Sequence, residues 1–304
     1  MFRKYLTDLS LILVAVIWAL NFSIIKVTLT EIDPYSFNAL RFIFAAVILY
    51  SIARKRGYTL KVQKEDFWKL VGIGIVGNLF YQVLFMIGID YTYSANAAVM
   101  LGTIPIWVAI LSQFFTDEKM TTLTFIGVVL AFSGVALIIA GGENEISFQS
   151  KTFLGDVITV IAALCWAVFT IMSRKYLKTY SPVQYSAFMS VIGVICLSLV
   201  GAPSLLKLDW SGISWLGFGG IIYSGALSVG VAYIIWNRGV KVIGAVRTAA
   251  YQNLVPVLGL LFGVILLGEE LALLQYIGAA LVICGIVIAR LEKKSPTSLN
   301  SSKS

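Results

Sequence analysis

Histidine is missing from this chain of 304 residues, cysteine occurs three times, and Asp, Glu, Lys and Arg together make up only 12% of it. Without histidine a serine nucleophile has no imidazole base, and a metal loses its commonest nitrogen ligand. Cys165, Cys196 and Cys284 fall within apolar stretches and have neither pairable nor metal-ligand spacing, which argues against redox and zinc chemistry. No enzymatic activity, metal or cofactor is expected. All fifteen carboxylates sit in loops or near the ends of apolar stretches, so no acid relay for protons is visible in the middle of a span.

Apolar residues take up the remaining space. They make up 59% of the chain, and the mean hydropathy of +0.91 is far above that of a soluble domain of this length. Ten stretches stand out, at about 8–28, 35–53, 67–89, 95–115, 122–140, 154–173, 182–201, 214–236, 246–267 and 273–290. Each approaches the ~20 residues that a helix needs to cross the hydrocarbon. The expected class is therefore an all-α integral membrane protein with ten transmembrane helices.

Charge orients the chain. With the N-terminus inside, eighteen of the basic residues fall on the cytoplasmic side, among them Arg54, Lys55, Arg56, Lys69, Arg174, Lys175 and Arg238. Only Lys151 and Lys207 fall outside, so both termini are expected in the cytoplasm. The net charge of +8 follows from this one-sided distribution and calls for no nucleic-acid partner. The first stretch has a basic start like a signal peptide but runs on through Trp18, Asn21 and Lys26, and reads as a retained span.

The chain also repeats itself. At an offset of 148, Ala15, Trp18, Ala19, Pro34 and Ala39 fall on Ala163, Trp166, Ala167, Pro182 and Ala187. At an offset of 151, Gly88, Ala98, Pro105, Glu118, Gly127 and Gly134 fall on Gly239, Ala249, Pro256, Glu269, Gly278 and Gly285. The expected organisation is a first repeat at 1–141, an extracytoplasmic linker at 142–153, a second repeat at 154–290 and a polar cytoplasmic tail at 291–304. A five-span unit ends on the face opposite its start, so the second unit enters inverted. Inverted repeats are an architecture of alternating-access transporters, with the substrate bound near the midplane.

WALNFSIIK at 18–26, the stretch from Pro34 to Arg41-Phe42, and Pro105 followed by Glu118 and Gly127 resemble the EamA unit of the drug/metabolite transporter superfamily. GAVRTAAYQNLVPV at 244–257, GEE at 268–270 and Gly278 resemble its second copy. The resemblance implies a ten-helix, multi-pass carrier of the plasma membrane, the bacterial inner membrane, working as a monomer or homodimer. It also implies export of amino acids or similar small metabolites. Facilitated movement or exchange of anionic metabolites, such as a sugar phosphate or nucleotide sugar, is the alternative, with a channel behind it. The expected partners are a small-molecule substrate and membrane lipids.

Several residues are candidates for the substrate site, each with a structural reading beside the functional one. Trp18, Asn21 and Phe22 share a face of the first span with Ile25, and Trp166 and Thr170 mirror that face in the sixth. The tryptophans wall a cavity or simply pack. Asn78, Tyr81 and Gln82 on the third span, with Tyr223, Ser228, Tyr233 and Trp236 on the eighth, form a second rank of lining or structural residues. Tyr251, Gln252 and Asn253 cannot all face one way on a helix, and serve either substrate or helix–helix bonding. Pro105 and Pro256 read as hinges that free a carbonyl four residues earlier, or as packing kinks. Of the cations Lys26, Arg41 and Arg247, the first and last can snorkel, whereas Arg41 lies about two turns into its span. Asn21, Lys26 and Arg41 would together make a basic outer pocket suited to a carboxylate. Glu118 and Glu269 suit the positive ends of the helices that follow them.

Overall fold

The computed structural model describes residues 2–92, 94–116, 121–141, 150–262, 264–265 and 271–290. All regular structure among them is helical. The first repeat comprises α1 (Phe2–Thr28), α2 (Pro34–Lys55), α3 (Lys64–Gly74), α4 (Tyr81–Tyr91), α5 (Ser94–Gly102), α6 (Ile104–Phe115) and α7 (Thr122–Ala140). The second comprises α8 (Ser150–Tyr176), α9 (Pro182–Leu205), α10 (Trp215–Tyr223), α11 (Ala232–Ile243), α12 (Ala245–Ala250), α13 (Leu254–Phe262) and α14 (Leu273–Arg290).

Among the described residues, seven helical stretches are long and apolar enough to cross a membrane. Val99–Phe115 and Leu273–Ala289 are shorter apolar helices. Two of the three remaining stretches are interrupted for a physical cause, while the third is a single helix of 18 residues, Leu273–Arg290. The stretch expected at 95–115 breaks at Thr103, just before Pro105, and the one at 246–267 breaks into a tight turn at Tyr251–Asn253, just before Pro256. A proline cannot donate the backbone bond that would carry the helix across it. The α8 helix starts at Ser150, inside the segment expected as linker. Glu118 and Glu269 lie outside the described residues, as do segment 142–149 and the tail 291–304.

The ends of α2 and α9 show the repeat at the level of local chemistry. Asp33 accepts from the N–H groups of Tyr35 and Ser36 (both 3.0 Å), with Pro34 as the first helical residue. Ser181 accepts from the N–H of Gln184 (3.1 Å), with Pro182 in the same place. A side-chain oxygen relieves an orphan donor in each, and proline fills a position that needs no donor. Both third-span equivalents also carry a segment of wider, i→i+5 winding, Ile75–Phe80 between α3 and α4 and Ser224–Val231 between α10 and α11. Such turns disturb the helical ladder and recur at functional sites.

Packing between the halves follows the same correspondence. The α7 and α14 helices run antiparallel at backbone contact: a Cβ on Gly127 would stand 2.5 Å from the Gly285 carbonyl oxygen, and one on Gly134 2.5 Å from that of Gly278. Each of these contacts maps onto the other when the offset of 151 is applied. Likewise Gly88 lies against Thr159, and the corresponding Gly239 lies against Leu11. Contacts that exchange in this way define an isologous, twofold-like pairing. Bare glycine faces bring backbones together where lipid supplies no hydrophobic drive for association.

The outer surface is apolar. Trp215, Leu206, Phe114, Trp68, Leu273 and Leu199 are each more than 70% exposed. An exposed apolar band of this extent is suited to lipid.

Candidate functional site

Residues that correspond between two halves and also touch each other must lie on the axis relating those halves. Two pairs do so. Trp18 and Trp166 meet edge to face with ring centroids 6.1 Å apart. Gln82 donates through Nε2 to the Tyr233 hydroxyl at 3.5 Å, and these positions correspond at the offset of 151. The axis therefore passes through an aromatic cluster in the interior. Trp236 packs 5.2 Å from Trp18 and 6.0 Å from Trp166, while Tyr81 and Tyr233 lie 5.0 and 5.4 Å from Trp166. Aromatic rings at these separations and tilts attract through edge and face as well as by area.

The helical wheel explains which rings converge. Trp166 and Phe169 project from α8 toward the first half, where Gly77 in the first wide turn leaves room for the Phe169 ring. Trp18 on α1 donates its indole N–H to the carbonyl of Ser228, in the second wide turn, at 3.0 Å. Both wide turns thus take part in the contacts of the cluster.

Arg41 adjoins this cluster and is almost fully buried, with 4% of its surface exposed. Its Nη2 donates to Gln82 Oε1 at 2.6 Å, and the guanidinium lies 5.2 Å from the centre of the Phe37 ring. Its Nε has no partner, and no carboxylate pairs with it among the described residues. A buried, uncompensated cation is costly, and its presence calls for an anion or for a role. Trp166 Nε1 and Trp236 Nε1 are likewise donors without partners. The centre thus presents N–H groups seeking acceptors.

The remaining candidates are distributed as follows. Asn21 accepts from Ser224 Oγ at 2.5 Å, and Asn78 donates to the Met189 carbonyl at 3.0 Å while its own oxygen stays unpaired. Thr170 is fully buried with its hydroxyl unpaired. Tyr251, in the turn before Pro256, donates to Asp8 at 3.0 Å, joining the broken helix to α1. Gln252 Oε1 and both amide atoms of Asn253 find no partner. The side chains of Phe22 and Lys26 lie outside the described residues. Of the expected basic outer pocket, Arg41 and Asn21 have separate partners, and the Lys26 side chain lies outside the described residues.

One feature is underrated by the sequence and one is missed. Trp236 ranks only second in the sequence because it lies toward the cytoplasmic end of its span, where an aromatic can be an interface anchor, yet it touches both central tryptophans. Asp156, only 5% exposed in α8, accepts from the Thr92 hydroxyl at 2.6 Å. It corresponds to Asp8 at the offset of 148, and that match was the signal that could have found it.

An apolar, all-helical shell around a duplicated polar and aromatic centre is the build of a membrane transport protein. The chain matches the EamA-like transporter family over residues 6–140 and 153–291, and belongs to it. It is 30% identical over 270 residues to the uncharacterized transporter YyaM of Bacillus subtilis (strain 168), covering 88% of each chain. It is 28% identical to a probable amino-acid metabolite efflux pump of Escherichia coli (strain K12), covering 91% of this chain and 92% of that one. A solved crystal structure superposes with a TM-score of 0.78 at 20% identity, covering 95% of this chain and 98% of the other, which supports the fold.

Proposed function

We propose that this protein exports amino acids or similar small metabolites across the bacterial plasma membrane. In this reading the chain spans the bilayer ten times as two inverted five-helix repeats, with both termini in the cytoplasm, and alternates access by moving one repeat against the other. The observation that carries the reading is Arg41, a buried guanidinium with no carboxylate partner beside rings that lie on the axis between the repeats. A substrate carboxylate would neutralise Arg41 and accept from free N–H groups, while Trp18, Trp166 and Trp236 would hold its apolar body. The relatives named as amino-acid metabolite efflux pumps support this substrate class. Pro105 and Pro256 mark the breaks at which the moving helices would bend.

One observation favours a second reading, in which the substrate is an anionic metabolite. The aromatic centre holds a cation but no acidic side chain among the described residues to receive an ammonium group.

Counterflow into liposomes carrying the purified protein tests both. Labelled neutral amino acids entering against an internal pool of the same compound would support export of amino acids, and entry only of sugar phosphates would favour the second reading. Saturable counterflow with none of these compounds would overturn both substrate classes.

A further inference from the structure

A pocket lies away from the axis. It is a groove of about 440 Å³ between α3 and the last turns of α8, with Ile73, Val76, Val168 and Met172 as walls and Lys69 and Lys175 at its polar end. On α8 the groove residues Val168, Met172 and Lys175 fall about 180° to 240° around the helix from Trp166, at ~100° per residue. The groove therefore faces away from the central cluster, toward the apolar surface. Trp68, 76% exposed, stands beside Lys69 in the manner of an interfacial anchor.

We infer that this groove holds a phospholipid with an anionic headgroup, its phosphate between Lys69 and Lys175 and an acyl chain along the apolar walls. Charge and shape both favour this occupant. Both lysines are exposed, and the sequence places both on the cytoplasmic side, where basic pockets between helices take acidic headgroups. Of the nearby acids, Asp66 is occupied by the Tyr180 hydroxyl at 2.8 Å, and Glu65 is exposed one turn before Lys69. Arg174 and Lys178 add further positive charge on the same segment. The corresponding positions in the other repeat are Gly220 and Val27, without charge, and there Gly220 packs directly on Thr28. The pair of lysines thus occurs in one repeat only.

Gly72 lines the groove and gives a test, because a Cβ added there meets nothing within 4 Å, so that a larger side chain can start toward the groove without a backbone clash. Purified full-length protein would be titrated in detergent with dioleoyl phosphatidylglycerol, dioleoyl phosphatidylcholine and glycerol 1-phosphate, with native mass spectrometry counting bound molecules. Phosphatidylglycerol should bind in preference to phosphatidylcholine, and Lys69→Gln and Lys175→Gln should each weaken it about fivefold. Gly72→Trp should abolish the preferred adduct while leaving the melting temperature unchanged. Equal binding of the two lipids would overturn the proposal. So would undiminished binding to Gly72→Trp, which would reduce the lysines to general surface charge, or equally tight binding of glycerol 1-phosphate, which would make the site one for soluble anions.

Discussion

Trp18 and Trp166 occupy the same position in the two halves of the sequence, and in the structure they touch, with ring centroids 6.1 Å apart and planes at 77°. Equivalent residues of two related units meet only on the axis that relates them. In the proposed function that contact puts the aromatic centre where two moving halves would close on a substrate, and the tryptophan pair would serve packing and recognition together. The Trp18 indole is tied to the Ser228 carbonyl at 3.0 Å, whereas the Trp166 indole N–H is free. Trp166→Phe should therefore lower apparent substrate affinity more than Trp18→Phe, by the factor of about 5 to 10 that one hydrogen bond represents. Counterflow KM values for the two variants check this.

Arg41 should carry the charge recognition. Arg41→Gln removes the guanidinium from its place beside Gln82 and should raise KM for a carboxylate substrate about 10- to 100-fold, the range for a hydrogen bond to a charged group. The amide of the same substrate should bind both proteins alike. Arg41→Lys should recover little of the loss, since an ammonium cannot reach Gln82 and a carboxylate with the same planar fork.

The glycine contacts between α7 and α14 give a stability prediction. Gly127→Ala sets a methyl 2.5 Å from the Gly285 carbonyl oxygen, a backbone atom that cannot turn aside. A loss of about 1 to 3 kcal/mol is expected, read as a lower melting temperature in detergent. Gly219→Ala, where no atom lies within 4 Å, is the matched control and should change little.

Tyr251 and Asp8 join the broken helix before Pro256 to the first turns of α1 through one hydrogen bond of 3.0 Å. Among the described residues α12 also packs on α6, while the corresponding α5 and α13 make no comparable contact. The end of the bundle bearing Asp8 is thus the better closed. Tyr251→Phe should loosen it, and a Thr248→Cys reporter, fully buried in this structure, should react faster with a thiol reagent applied to that face, by roughly 5- to 50-fold. An unchanged labelling rate would mean that the bond does not hold the halves together.

Much of this was legible in the sequence for a physical reason. Lipid demands long apolar helices and bare small-residue faces, so seven of the spans, the close-packing Gly127 and Gly134, and the repeated Pro34 and Pro182 announce themselves. Arg41 stood out because charge is expensive at that depth. What stayed hidden was set by partners on other helices. Trp236 faces Phe85 in the repeat alignment, Tyr233 faces Gln82, and neither mismatch reveals that the residues converge. The wide turns at Ile75–Phe80 and Ser224–Val231 carry no proline and gave no warning, since tertiary contact rather than local propensity decides their winding.

The inverted relation of the two halves is tested most directly by labelling from one side at a time. Thr30 and Lys178 are exposed, lie just past the ends of α1 and α8, and correspond at the offset of 148. In a protein freed of Cys165, Cys196 and Cys284, Thr30→Cys should react with an impermeant thiol reagent only from outside the cell, and Lys178→Cys only from the cytoplasmic side. Reaction of both from the same side would contradict inverted repeats, and with them a substrate site on the axis between Trp18 and Trp166.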